Sequence, residues 1–210
     1  MVLWYKGMKT VALVTQKGGS GKSTLAVHLG VAALRQRALA AIIDVDPQAS
    51  ARLWSQRRGK DDLAVIAARP AELPRLLDDA RRQGASLVLI DTAGRADVSA
   101  DAAIESADIV LIPCRPTLYD LGASAATVDM VRRAGGKKAA FVLNGVPPTG
   151  SRAAEAREAL GDILPISPVQ IHTRVAYSDA LNDGRSVEEL QPGGKAAKEI
   201  RALYKWIMKL

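Results

Sequence analysis

Gln16-Lys17-Gly18-Gly19-Ser20-Gly21-Lys22-Ser23-Thr24 stands between an apolar run at residues 11–14 and an amphipathic stretch at residues 23–37. Strand, glycine-rich loop and helix is the setting in which a backbone can wrap a phosphate group. The glycines let the chain curl so that several N–H groups converge on one anion. The following helix turns its positive end to the same place. Lys22 is placed to reach β- and γ-phosphates, Ser23 to ligate Mg²⁺ and Thr24 to add a phosphate contact. The common spacing G-x-x-x-x-G-K-[ST] would need glycine at position 16, where this chain has Gln16. What stands instead is K-G-G-x-G-K-S, with an additional lysine, Lys17. A plain glycine turn does not account for two lysines flanking Gly-Gly-x-Gly in this context.

Working outward, short runs of Val, Ile, Leu and Ala recur at residues 11–14, 39–43, 63–67, 87–90, 109–112, 139–143 and 164–167. They do not alternate with polar residues, as expected of strands buried on both faces. Amphipathic stretches separate them at residues 23–37, 49–58, 71–83, 99–106, 118–134 and 151–160, with a last helix from about 194. Strand and helix in alternation predict an α/β domain: a mostly parallel, twisted sheet of about seven strands with helices on both faces. Ligands in such folds gather at the carboxyl ends of the strands. Residues 1–7 fit no element and read as a disordered extension, or a mis-assigned start, before one domain at 8–210.

Composition narrows the chemistry. In 210 residues there is one cysteine, Cys114, so an internal disulfide, a paired-thiol site and a four-cysteine metal site are excluded. Cys114 ends an apolar strand and reads as a small core residue. His28 and His172 are too far apart in sequence to suggest a histidine cluster. No apolar run approaches the roughly 20 residues of a membrane span, and the start has no secretory signal, so a cytoplasmic protein is expected. Lys plus Arg number 29 against 22 Asp plus Glu, a net charge of +7. That excess favours polyanionic partners, and equally fits a solvated basic surface.

Two acidic stretches follow predicted strands. Asp44-Val45-Asp46-Pro47-Gln48 sends two carboxylates off one strand end on the same side. Near a triphosphate they would hold Mg²⁺ or orient a water; alternatively either caps the next helix, which Pro47 would suit. Leu87-Val88-Leu89-Ile90-Asp91-Thr92-Ala93-Gly94 is an apolar strand ending in aspartate, the Walker B pattern, where Asp91 would bind Mg²⁺ and residues 92–94 would sense a γ-phosphate. Arg95 beside it reads as a surface residue.

K-G-G-x-G-K-[ST] resembles the deviant Walker A motif of the ParA/MinD group of P-loop ATPases, and D-x-D-P-Q resembles that group's second signature. The resemblance implies a single-domain P-loop NTPase fold, ATP and Mg²⁺ as cofactors, and slow hydrolysis stimulated by a partner. It makes Lys17, Lys22 and Asp46 the catalytic set, with Lys17 crossing an ATP-sandwich homodimer and Asp46 acting on the water. It gives Ser23, Asp44 and Asp91 to the metal. It sets Asn144, at the end of a late strand, against adenine, with a loop at 168–173, including Pro168, over the other face of the base; Asn144-Gly145 is also a plain turn signal.

Likeness to short plasmid-type, ParF-like members runs over nearly the whole chain, through Ile112-Pro113, Pro116, Asp120, Leu121, Ile171, Arg174 and Tyr177. It implies a plasmid or chromosome partition ATPase on the nucleoid, a ParB-type partner, and salt-sensitive, sequence-independent DNA binding by the ATP dimer. Candidate DNA contacts are Arg174, Arg185, Lys195, Lys198, Arg201 and Lys205, with Arg132, Arg133, Lys137 and Lys138 as a second group. The alternatives are a MinD-like or cargo-positioning ATPase using membrane or nucleoid, and a related ATP-dependent ligase, against which Lys17 and D-x-D-P-Q argue. The C-terminal segment 196–210 is amphipathic and basic; packing of its apolar stripe on the sheet is favoured over a membrane role.

Overall fold

The computed structural model of the protein describes residues 7–94 and 98–210. The extension expected at 1–7, apart from Gly7, and Arg95 lie outside the described residues. The strands are β1 (Lys9–Leu13), β2 (Ala40–Asp44), β3 (Ala64–Ala67), β4 (Leu87–Asp91), β5 (Ile109–Cys114), β6 (Lys138–Val146) and β7 (Ile171–His172). All pair in parallel, in the order β3-β2-β4-β1-β5-β6-β7. The helices are α1 (Lys22–Arg35), α2 (Ser50–Arg58), α3 (Leu73–Arg82), α4 (Val98–Ser106), α5 (Leu118–Arg133), α6 (Arg152–Leu160), α7 (Val175–Asn182), α8 (Val187–Leu190) and α9 (Lys195–Lys209).

Strand side chains alternate between faces, and here both faces are dry. Val11, Leu13, Ile42, Leu87 and Leu89 point into one layer with α1, α2, α7, α8 and α9. Ala12, Ile43, Val88, Ile90, Ile112 and Phe141 point into the other with α3, α4, α5 and α6. This is why the runs are continuously apolar. β1 lies in the middle, flanked by β4 and β5; the chain leaves it for β2 on one side, and after β4 crosses over it to β5 on the other. The crevice formed by such a switch opens at the carboxyl end of β1, where the glycine-rich loop begins.

The first six predicted strands form. The seventh does not: residues 164–167 touch β6 through a single bridge, Ile166 with Phe141, and the edge strand is β7 instead, paired with Asn144 and Val146. Residues 164–167 are apolar enough to read as a strand, but Pro165 and Pro168 remove two donors and halt the ladder.

α9 carries its apolar stripe inward. Ile200, Leu203, Tyr204 and Ile207 are buried against α1 and the sheet, each large aliphatic contributing about 1.5–3 kcal/mol. Lys9 Nζ caps the helix end by donating to the carbonyls of Ile207 (3.0 Å) and Met208 (3.3 Å). The packing expectation therefore holds. No described helix is long and apolar enough to cross a membrane.

Candidate nucleotide site

Gly19 and Gly21 adopt φ of 72° and 94°, conformations that side chains other than glycine rarely take. Gly21 is the N-cap of α1 and supplies no side-chain cap. The first N–H groups of that helix are thus left for an external anion. Lys22 is buried, and its Nζ lies 3.4 Å from the Lys17 carbonyl. Burial lowers the Lys22 pKa, against the charges of Asp91 and Asp46, which raise it.

Asp91, at the end of β4, is fully buried, and neither of its carboxylate oxygens has a hydrogen-bond partner among the described residues. Burial, reinforced by Asp44 and Asp46, pushes its pKa up to about 7, while the nearby Ser23 hydroxyl and Lys22 pull it down. An orphaned buried carboxylate facing a lysine and a serine is a donor set that Mg²⁺ with its water shell would satisfy. Thr92 Oγ1 donates to the Leu13 carbonyl at 2.8 Å, tying the end of β4 to β1. Gly94 then presses on the loop: a Cβ at this position would sit 2.7 Å from Gly18 Cα. Gly94 thus lies in close backbone approach to the Lys17-Gly18 segment, which leaves no room there for a side chain.

Asp44 and Asp46 divide the two readings of their stretch. Asp44 accepts from the backbone N–H of Asp46 and of Arg52, each at 3.1 Å. It caps the start of α2, whose own N-cap, Ala49, offers nothing. Burial raises its pKa, and those N–H groups oppose the rise. Both Asp44 oxygens are thus engaged by the chain, and the capping role is the one the geometry displays. Asp46 accepts from the Gln48 N–H at 2.9 Å and lines the cavity over the loop. That cavity, of about 520 Å³, is bounded by Gly18–Gly19, Lys22, Ser23, Asp46, Gly94 and an apolar wall of Val27, Leu53, Trp54 and Leu181. Trp54 is held from behind by its Nε1 donating to the Arg185 carbonyl at 3.1 Å and by Arg58 stacked 5.2 Å from its ring centre.

Lys17 lies outside the loop's curl. Its Nζ pairs with Asp120 Oδ2 at 2.8 Å, Lys17 being 39% exposed and Asp120 7%. Burial would raise the Asp120 pKa, but hydrogen bonds from Lys17 and Thr117 and the charges of Lys17 and Arg115 hold it below the usual carboxylate range. Next to this pair Leu118 and Tyr119 stand 82% and 84% exposed at the start of α5.

A second cavity, of about 620 Å³, shares Gly19, Gly21 and Thr24 with the first and extends past Arg115, Asn144, Arg152, His172, Arg174 and Tyr177. Asn144 lines this second cavity. Pro168 does not: it lines neither cavity and is exposed, because Ser167 is buried and turns the chain, its Oγ accepting from the Val169 N–H. Of the loop expected at 168–173, residues 171–173 line this cavity, together with Arg174. Arg115 and Arg152 escape a local reading, since only the approach of β5, β6 and α6 brings them together.

The basic candidates divide. Arg174 is bound to Glu199 through Nε and Nη2 at 3.0 and 2.6 Å, in a cluster that includes His172 and Tyr177. Arg201 is bound to Glu188 and Arg185 to Asp183. These three, expected as DNA contacts, are each paired with a carboxylate of the chain, Arg185 on the surface. Of the second group, Arg132 faces Asp129, while Lys137 donates to the Glu105 carbonyl and Lys138 to that of Leu210. Lys195, Lys198 and Lys205, joined by Lys209, remain exposed on α9. Spacings of 3, 7 and 4 put all four on one helix face.

Comparison with known proteins follows the same lines. The profile of the CobQ/CobB/MinD/ParA nucleotide binding domain matches residues 11–187. The maintenance of carboxysome distribution protein A of Gloeobacter kilaueensis is 35% identical over 202 residues, covering 94% of this chain and 91% of that protein. Among solved structures, the MinD cell division protein of Aquifex aeolicus superposes with a TM-score of 0.82 at 16% identity, over 96% of this chain and 98% of that one. A Cyanothece McdA(D38A)–ATP complex superposes with a TM-score of 0.75 at 19% identity, over 97% of each chain.

Proposed function

Since the chain belongs to the CobQ/CobB/MinD/ParA nucleotide-binding domain family, we propose that it is an ATP-hydrolysing positioning switch that dimerises around ATP and Mg²⁺ and holds a cargo on DNA until hydrolysis releases it. The observation that carries this reading is the pairing of opposites at the loop: an orphaned, buried Asp91 beside Lys22, with a second lysine, Lys17, parked outside on Asp120.

In this reading the loop N–H groups and Lys22 bind the triphosphate, and Ser23 and Asp91 hold the metal, which when bound neutralises phosphate charge. Asp46, in the same cavity as Gly94, orients the attacking water. Asp44 supports Asp46 by fixing the start of α2. Lys17 leaves Asp120 to reach the nucleotide of a second copy; the exposed Leu118 and Tyr119 supply apolar surface at that seam. The lysine face of α9 supplies the sequence-independent DNA contact, by phosphate neutralisation and counterion release. A ParB-type protein or its cargo-specific equivalent stimulates turnover.

The family contains both replicon-partition and cargo-positioning members. The 35% identity to a carboxysome distribution protein favours a protein assembly as cargo, ahead of a plasmid or chromosome. The test is Asp46→Ala: it should bind ATP and accumulate as a dimer by light scattering, with hydrolysis below a tenth of the native rate. Native turnover in that variant would remove Asp46 from the role given to it.

A further inference from the structure

Two observations meet at Asn144. Its Nδ2 donates to the Ser20 carbonyl at 2.6 Å, across 124 residues of sequence. The same amide fills the space beside Gly21: Nδ2 lies 2.2 Å from the point a Cβ there would occupy. Gly21 is thus a glycine twice over, for its φ of 94° and for the side chain laid against it. Asn144 is itself set by its surroundings. It ends the buried apolar run of β6, and Gly145, at φ 67°, turns the chain beneath the Arg115 side chain, which passes 3.6 Å from where a Cβ would be.

We propose that Asn144 is a positioning residue for the phosphate loop: it clamps the Ser20-Gly21 peptide from the base side, and so strengthens the binding of phosphate groups that carry no base. The Ser20 carbonyl is turned away from the anion by this bond, leaving the N–H side of the loop to the ligand. An amide has two N–H donors and one oxygen, so the clamp uses one donor and leaves the other donor and Oδ1 for a ligand in the larger cavity. A base there and a phosphate in the loop then draw on the same side chain, which couples the two halves of the site. The inference rests on the reading of the loop as a nucleotide site and adds a claim that a base contact alone would not make.

The test compares wild type with Asn144→Asp, which keeps the shape and loses the donor, and Asn144→Ala. Calorimetry with Mg-tripolyphosphate is the deciding measurement, and Mg-ATP binding by the wild type tests the underlying reading separately. Loss of one hydrogen bond should weaken tripolyphosphate by roughly 3- to 10-fold in both variants, more in Asn144→Asp, whose carboxylate would face a carbonyl oxygen. Hydrogen exchange of the nucleotide-free variants should rise in the peptide spanning residues 15–24 and nowhere else, with an unchanged melting temperature. If both variants bind tripolyphosphate as the wild type does, Asn144 is a base contact only and the inference fails, whatever happens to ATP. It fails equally if the wild type has no measurable tripolyphosphate affinity, or if exchange rises throughout the chain.

Discussion

Two buried charges behave in opposite ways. Arg58, near the end of α2, has a side chain 1% exposed and gives its donors to Asp62, Glu189 and the Gly184 carbonyl, the carboxylate contacts lying between 2.7 and 2.9 Å. Asp91, at the end of β4, is as deeply buried and has no described partner for either oxygen. A charge with every bond made inside the chain holds elements together, here α2 to the α7–α8 turn. A charge with none is tolerable only if it takes up a proton or a ligand supplies the missing partner. The contrast separates scaffold from site without reference to any relative.

Breaking the satisfied side should have the largest effect. Arg58→Ala empties a buried site and leaves the half-buried Glu189 with only Lys60 at 3.6 Å and the Ser186 N–H, and should cost about 3 kcal/mol in urea unfolding. Below the melting transition its ATP affinity should stay within about threefold of native, because no Arg58 donor faces the cavity. The unsatisfied side should respond the other way. Lys22→Ala should weaken ATP by at least about 100-fold in calorimetry, the loss of a charge-assisted phosphate contact, with little change in the stability of the nucleotide-free protein.

Asp91 gives a pH signature. Its folded pKa, about 7, lies above its ordinary value of 3.8. Protonation therefore favours the folded state, and the contribution present at low pH is lost as pH rises through 7. Nucleotide-free protein should be less stable at pH 8 than at pH 5.5, and Asp91→Asn should flatten that slope and gain about 1–2 kcal/mol at pH 8. A steeper slope in the variant would mean that Asp91 is not the group responsible. The smallest structural effect belongs to the surface. Replacing Lys195, Lys198 and Lys205 by Gln should move stability by less than about 0.5 kcal/mol, yet reduce ATP-dependent retention of random-sequence DNA and make it less salt-sensitive. Undiminished retention would place the DNA surface elsewhere.

The legible and illegible parts of the molecule follow the same division. The loop, six strands and the Walker B aspartate are local patterns: their residues sit next to one another in the chain, and their apolar periodicity is enforced by burial on two faces. The pairings Lys17–Asp120, Arg58–Glu189 and Arg174–Glu199 span 103, 131 and 25 residues. No spacing rule announces them. That is why Arg174 and Arg201 read as free basic surface when they are internal counter-ions. β7 was hidden for a different reason: two residues of strand, Ile171 and His172, carry too little periodicity to read, while the more apolar segment before it is interrupted by prolines. Asp44 reads two ways in sequence because a helix cap and a metal shell both want a carboxylate at that distance; the two N–H donors on it display the cap.

The indole of Trp54 forms one wall of the space above the phosphate loop, and the ring is pinned by a backbone carbonyl and a guanidinium, so it cannot swing away from whatever enters. The protein thereby carries a built-in optical gauge of occupancy. In a background with both other tryptophans replaced, Trp4→Phe and Trp206→Phe, its emission should shift when ATP is added and return as product leaves, letting turnover be followed in real time with no dye attached.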